Sequence, residues 1–101
     1  MTEDIKATIA DEAKRIVSGE RREAYGTPEK NFHRIAVLWE IYLSLAHGYA
    51  DQITPLDVAA MMRLMKEARL IESPHHRDSY VDLVGYALCG AEIALDEEDA
   101  S

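Results

Sequence analysis

HHRDSYVDLVGYALCGAEIAL, residues 75–95, is the stretch whose reading decides the fold. It holds no proline and no period-two alternation, and its apolar residues recur at helical spacing, so it predicts a helix. On a helical wheel Val81, Val84, Leu88, Ala91 and Leu95 form the expected core stripe. Asp78 and Asp82 fall on the other side, together with Gly85, Tyr86, Cys89 and Ile93. A helix apolar nearly all round is normally buried all round. Carboxylates placed there are costly unless they are paired or bound to a cation. Asp78 and Asp82 stand four residues apart, one turn from each other on one face. They are the leading functional candidates.

Working backwards from this helix, three more are expected. Ser73-Pro74 opens the last helix, and Thr54-Pro55 with Asp57 opens the one before it, which ends near Ile71 and turns Val58, Met61, Leu64, Met65 and Ala68 inward. Thr27-Pro28-Glu29 repeats the device for a helix that closes at His47-Gly48. Its expected stripe is Phe32, Ile35, Ala36, Trp39, Tyr42, Leu43 and Ala46. The first helix spans about Thr2 to Ser18, stops at Gly19, and is followed by a linker, Glu20 to Gly26. The fold class is all-α: one four-helix bundle, residues 1–101, with an acidic tail over about 96–101. The apolar stripes are wide for so short a chain, which points to a homo-oligomer, a dimer or tetramer.

Composition narrows the function classes. A net charge of −8 argues against a duplex nucleic-acid partner, which requires a basic footprint. It leaves room for a nucleotide, because divalent cations bridge acidic groups to phosphates. No apolar run has membrane-spanning length, Met-Thr-Glu-Asp lacks the features of a secretory signal, and the single Cys89 forms no internal disulfide. A cytoplasmic protein with no membrane partner is expected.

The acidic pair suits a hard cation, Mg²⁺ or Mn²⁺, which takes carboxylate oxygens. The plainer reading of Asp78 is an acid in the first helical turn, favoured by the helix dipole. Lys66 and Arg69, with Arg63 a turn earlier, make a basic stripe that suits phosphate, or simply an exposed face with salt bridges to Glu67 or Glu72. Asn31, at the edge of an apolar stripe, has an amide able to read a base or ribose. Arg22 and the Tyr25-Gly26 turn make a plausible ligand wall, and His75 or its neighbour His76 could meet phosphate. Cys-x-x-Cys, His-Glu-x-x-His, Gly-x-Ser-x-Gly and phosphate-binding glycine loops are all lacking from the sequence.

Taken in order, Arg22-Glu23-Ala24-Tyr25-Gly26, Asn31-Phe32, Leu38-Trp39, Lys66-Glu67-Ala68-Arg69 and the run from His75 to Ala87 resemble the MazG-like, all-α nucleoside triphosphate pyrophosphohydrolase superfamily, and its small phage and prophage members most closely. The resemblance covers roughly residues 15–95. It implies a MazG-like helical bundle completed by oligomerisation, Mg²⁺ held by acidic residues on facing helices, and cleavage of a nucleoside triphosphate to monophosphate and pyrophosphate. Asp78 and Asp82 match the later acidic pair of the family motif, with Asp in place of Glu at the first position. The family's Glu-x-x-Glu is absent from the second helix, where Glu29 and Glu40 stand. The nearest is Glu20-Arg21-Arg22-Glu23, which would supply further metal ligands. Lys66 and Arg69 would stabilise phosphate charge, and Asn31, Tyr25 or Trp39 would contact the base. The alternative is a non-catalytic nucleotide-binding or protein-interaction module of phage or prophage origin.

Overall fold

The computed structural model describes residues 4–19, 24 and 26–99, with the backbone alone for 96–99. Among these residues it is all-helical: α1 (Ile5–Ser18), α2 (Pro28–His47), α3 (Pro55–Glu72) and α4 (Arg77–Asp99), with no strand.

Local chemistry sets the helix ends. Asp4 caps α1, its Oδ1 accepting from the Lys6 and Ala7 N–H groups at 3.1 and 3.3 Å, so the described helix starts after the expected Thr2. Thr27 caps α2 through Lys30 N–H, and Gly48 ends it in the left-handed conformation, φ 68°, where a side chain would be strained. Thr54 and Asp57 form a reciprocal capping box on α3: Asp57 N–H donates to Thr54 Oγ1 at 3.1 Å and Thr54 N–H to Asp57 Oδ2 at 2.8 Å. The last helix begins at Arg77 rather than His75, because Ser73 to His76 turn first, with His76 N–H donating to Ser73 O at 3.1 Å. It also runs on past Leu95 through the acidic run to Asp99.

α4 is the hub. It packs on α3 along most of its length, on α1, and less extensively on α2; among the described residues α1 meets neither α2 nor α3. α3 and α4 run antiparallel, with Ala59 and Arg63 beside Gly90 and Lys66 beside Asp82. Glycine eases the tightest approach: a Cβ at Gly85 would stand 3.3 Å from Val17 of α1, whereas one at Gly90 would make an ordinary 3.5 Å contact with Ala59 of α3. The core cluster joins Phe32 and Ala36 of α2, Ile53 of the α2–α3 loop, Val58 and Ala59 of α3, and Cys89 and Ile93 of α4.

This packing corrects the inward register expected for three helices. On α4 the buried face is Val81, Gly85, Cys89 and Ile93, whereas Leu88, Ala91 and Leu95 are exposed. On α3 Val58 is buried as expected, but its companions are Ala59 and Leu70, and Met61, Leu64, Met65 and Ala68 face solvent. On α2 the inward stripe holds from Phe32 to Trp39 and Leu43, while Tyr42 and Ala46 are exposed. The common cause is that these helices are apolar on two sides, so hydropathy alone does not choose the face that packs. No helix among the described residues is long and apolar enough to cross a membrane.

The register has a direct consequence for stability. Ile93→Ala, at a residue 8% exposed, should cost about 2–4 kcal/mol, and Leu95→Ala, at one 54% exposed, less than about 1 kcal/mol, as read from urea denaturation midpoints.

Candidate functional site

The antiparallel seam of α3 and α4 joins two of the residues singled out by sequence. Lys66 Nζ lies 3.0 Å from Asp82 Oδ2, the lysine side chain 15% and the aspartate 38% exposed. A lysine on a helix face turned toward the core lays its methylenes along the seam and needs an anion for its ammonium. Asp82 supplies that anion. One turn before Lys66, half-buried Arg63 reaches the same helix, its Nη1 fitting where a Cβ at Gly90 would come within 3.3 Å. Two cationic side chains of α3 therefore enter its contact with α4.

Asp78 is exposed in the first turn of α4, one turn from Asp82 toward the helix N-terminus, where the dipole favours a carboxylate. The position of that turn is held by several interactions. Ser79, fully buried, shares a 2.7 Å hydrogen bond with His76 Nδ1 and donates its N–H to His76 O at 3.1 Å. Tyr80 O–H donates to Pro74 O at 2.9 Å. Arg77 pairs with Glu12 of α1 at 2.6 Å. Sequence reading gave Glu12, Ser79 and Tyr80 no role; Glu12 and Arg77 stand 65 residues apart, and their pairing carries no local sequence signal.

The remaining candidates are spread out. Arg69 is exposed in the last turn of α3, where its carbonyl accepts from Ser73 N–H at 2.9 Å, and His75 is exposed in the turn before α4. Asn31 is half-buried at the start of α2, and Trp39 packs against the core cluster. Glu20, Arg22, Glu23 and Tyr25 lie outside the described residues. Among the described residues no three His, Cys, Asp or Glu side chains converge as a metal set. Beside Asp82 a crevice between α1 and α4, bordered by Val17, Gly85 and Tyr86, has about 10 Å³ of room. That suits a single water and is too small for a nucleobase. A ligand of Asp78 and Asp82 must therefore sit on the open face at the start of α4.

Residues 8–94 match the model of a family described as a domain of unknown function, DUF6378, and the chain belongs to that family. It is similar to the Gene 55 protein of Mycobacterium phage D29, at 44% identity over 82 residues, 81% of this chain and 50% of that protein. It is also similar to the Gene 55 protein of Mycobacterium phage L5, at 38% identity over 92 residues, 91% of this chain and 56% of that protein. The chain spans about half the length of these curated relatives. The phage character expected from sequence is shared by both. No solved structure matches the chain.

The Lys66–Asp82 pair is partly exposed, so a double-mutant cycle with Lys66→Met and Asp82→Asn should give a coupling of about 0.5–1 kcal/mol that shrinks at 1 M salt. Chemical denaturation of the four proteins measures it.

Proposed function

We propose that the protein is a Mg²⁺-dependent, MazG-like nucleotide pyrophosphohydrolase acting on a nucleoside triphosphate or related nucleotide. The observation that carries this reading is the pairing of Lys66 with Asp82, with Asp78 one turn away on the open start of α4. The donor chemistry fits the ion. Mg²⁺ is commonly held by one or two carboxylates, its own waters and substrate phosphates, and so needs no closed protein cage.

In this reading Asp78 and Asp82 hold the ion from one rigid helix, and Glu20 or Glu23 would add ligands. Lys66 fixes the orientation of the Asp82 carboxylate through Oδ2. Lys66, Arg69 and His75 offset phosphate charge, Arg22 assists them, and Asn31, Tyr25 or Trp39 contact the base. Mg²⁺ (or Mn²⁺), when bound, polarises phosphate oxygens and lowers the pKa of an attacking water. The lack of a Glu-x-x-Glu in the second helix favours a second reading, in which the protein binds a nucleotide without turning it over.

A thermal melt with nucleoside triphosphates, with and without Mg²⁺, tests both when the same wells are assayed for pyrophosphate. A ligand present at 100 times its Kd should raise Tm by on the order of 10 °C. The enzyme predicts a Mg²⁺-dependent rise with pyrophosphate release, both lost in Asp78→Asn, whose exposed site spares the fold. A rise without product indicates the binder, and no rise with any nucleotide contradicts both readings.

A further inference from the structure

Arg77 opens α4, and a cation in the first turn of a helix stands against the dipole. Its own helix offers it no acid at a useful spacing. Three and four residues on, where helical side chains meet, stand Tyr80 and Val81, and the nearest carboxylate on α4 is Asp78. The guanidinium turns elsewhere. Arg77 Nη1 lies 2.6 Å from Glu12 Oε2 of α1, the arginine side chain 42% and the glutamate 26% exposed. We propose that Glu12 is a positioning residue for the cation site: by holding Arg77 on α1 and cancelling its charge, it keeps the Asp78 carboxylate open to a divalent ion. This assignment rests on the reading of Asp78 and Asp82 as Mg²⁺ ligands and adds the group that acts on Asp78 through Arg77.

The two carboxylates differ in their surroundings. Asp82 takes the Lys66 ammonium on Oδ2 at 3.0 Å. Among the described residues no cation pairs with Asp78, although an arginine stands next to it in the chain. A hard dication is held chiefly by its attraction to carboxylate oxygens. A guanidinium released beside Asp78 therefore opposes it twice, by repelling the ion and by competing for the same oxygens. Glu12 is well placed to prevent this. Among the described residues α1 packs on α4 and on no other helix, so α4 itself sets the position of the glutamate. The approach of Val17 to Gly85, further along α1, fixes that contact at a second point. The start of α4 is also anchored without Glu12, through Tyr80 O–H on Pro74 O at 2.9 Å and Ser79 on His76 Nδ1 at 2.7 Å. The ion pair is thus free to serve the electrostatics of Asp78 rather than the placing of the helix.

Mn²⁺ titrations of the protein at low ionic strength, followed by the electron paramagnetic resonance of the free ion, test the proposal. Asp78→Asn defines the binding that belongs to the site. Glu12→Ala should weaken that binding roughly fivefold, the effect of one unit charge on a divalent ion across about 8 Å of water. Arg77→Gln should leave it no weaker. Glu12→Ala placed on the Arg77→Gln background should cost nothing further, because no guanidinium is left to restrain. Both single variants break the same tie between α1 and α4, so a purely structural tie predicts equal losses from each. A glutamate acting by its own charge predicts the same loss on both backgrounds. Either result, or a Glu12→Ala protein that binds as the wild type does, would overturn the assignment and leave the cation reading standing. A wild type with no Asp78-dependent Mn²⁺ binding would overturn both.

Discussion

The structure depends on how closely three helices approach α4. Val17 of α1 meets Gly85, where a Cβ would stand 3.3 Å from the valine side chain, and Ala59 and Arg63 of α3 meet Gly90, where a Cβ would be in ordinary contact with Ala59 and 3.3 Å from Arg63 Nη1. Because Gly85 and Gly90 are five residues apart, they open two neighbouring faces of one helix, one for α1 and one for α3. α2 then closes the lower part of α4 through Phe32, whose ring stands 6.2 Å from that of Tyr86, and through the cluster that includes Cys89 and Ile93. With α1 touching neither α2 nor α3 among the described residues, α4 is the one element that meets all three others, while α2 and α3 also pack on each other. The apolar cost of that open arrangement is visible on the outer faces of α2, α3 and α4, where large aliphatic side chains remain in water.

Much of the architecture was legible in the residues. Thr-Pro at positions 27–28 and 54–55 announces two helix starts because a threonine hydroxyl can accept from the exposed N–H groups and proline already has the helical φ. Gly19 and Gly48 announce two ends. The inward register was much less legible. Helix periodicity ranks faces by apolar content, and on α3 and α4 the richer face is the one left outside. The small residues Ala59, Gly85, Cys89 and Gly90 decided the packing through short-range contact, which a hydropathy pattern underweights.

The same contrast holds at the site. Asp78 and Asp82 could be placed on one helical face from their spacing alone, since four residues make about one turn. The partner of Asp82 could not, because pairing with Lys66 requires the antiparallel register of α3 on α4. The Arg77–Glu12 pair that ties the start of α4 to α1 bridges 65 residues and leaves no sequence trace. Arg63 was read as part of a surface stripe, yet it lies along Gly90. What emerges is an anchored helix start that presents one exposed carboxylate and one lysine-oriented carboxylate to open solvent, an arrangement suited to bridging a cation to phosphate oxygens.

That reading makes the start of α4 the centre of the protein's chemistry, and it can be probed without turnover. Amide signals in a two-dimensional NMR spectrum, recorded with a nucleoside triphosphate analogue that resists hydrolysis and sub-stoichiometric Mn²⁺, report proximity to the ion. The account predicts broadening centred on Asp78 and Asp82 and reaching Lys66, competed away by Mg²⁺. Broadening confined to the acidic run beyond Leu95, or none with nucleotide present, would contradict it.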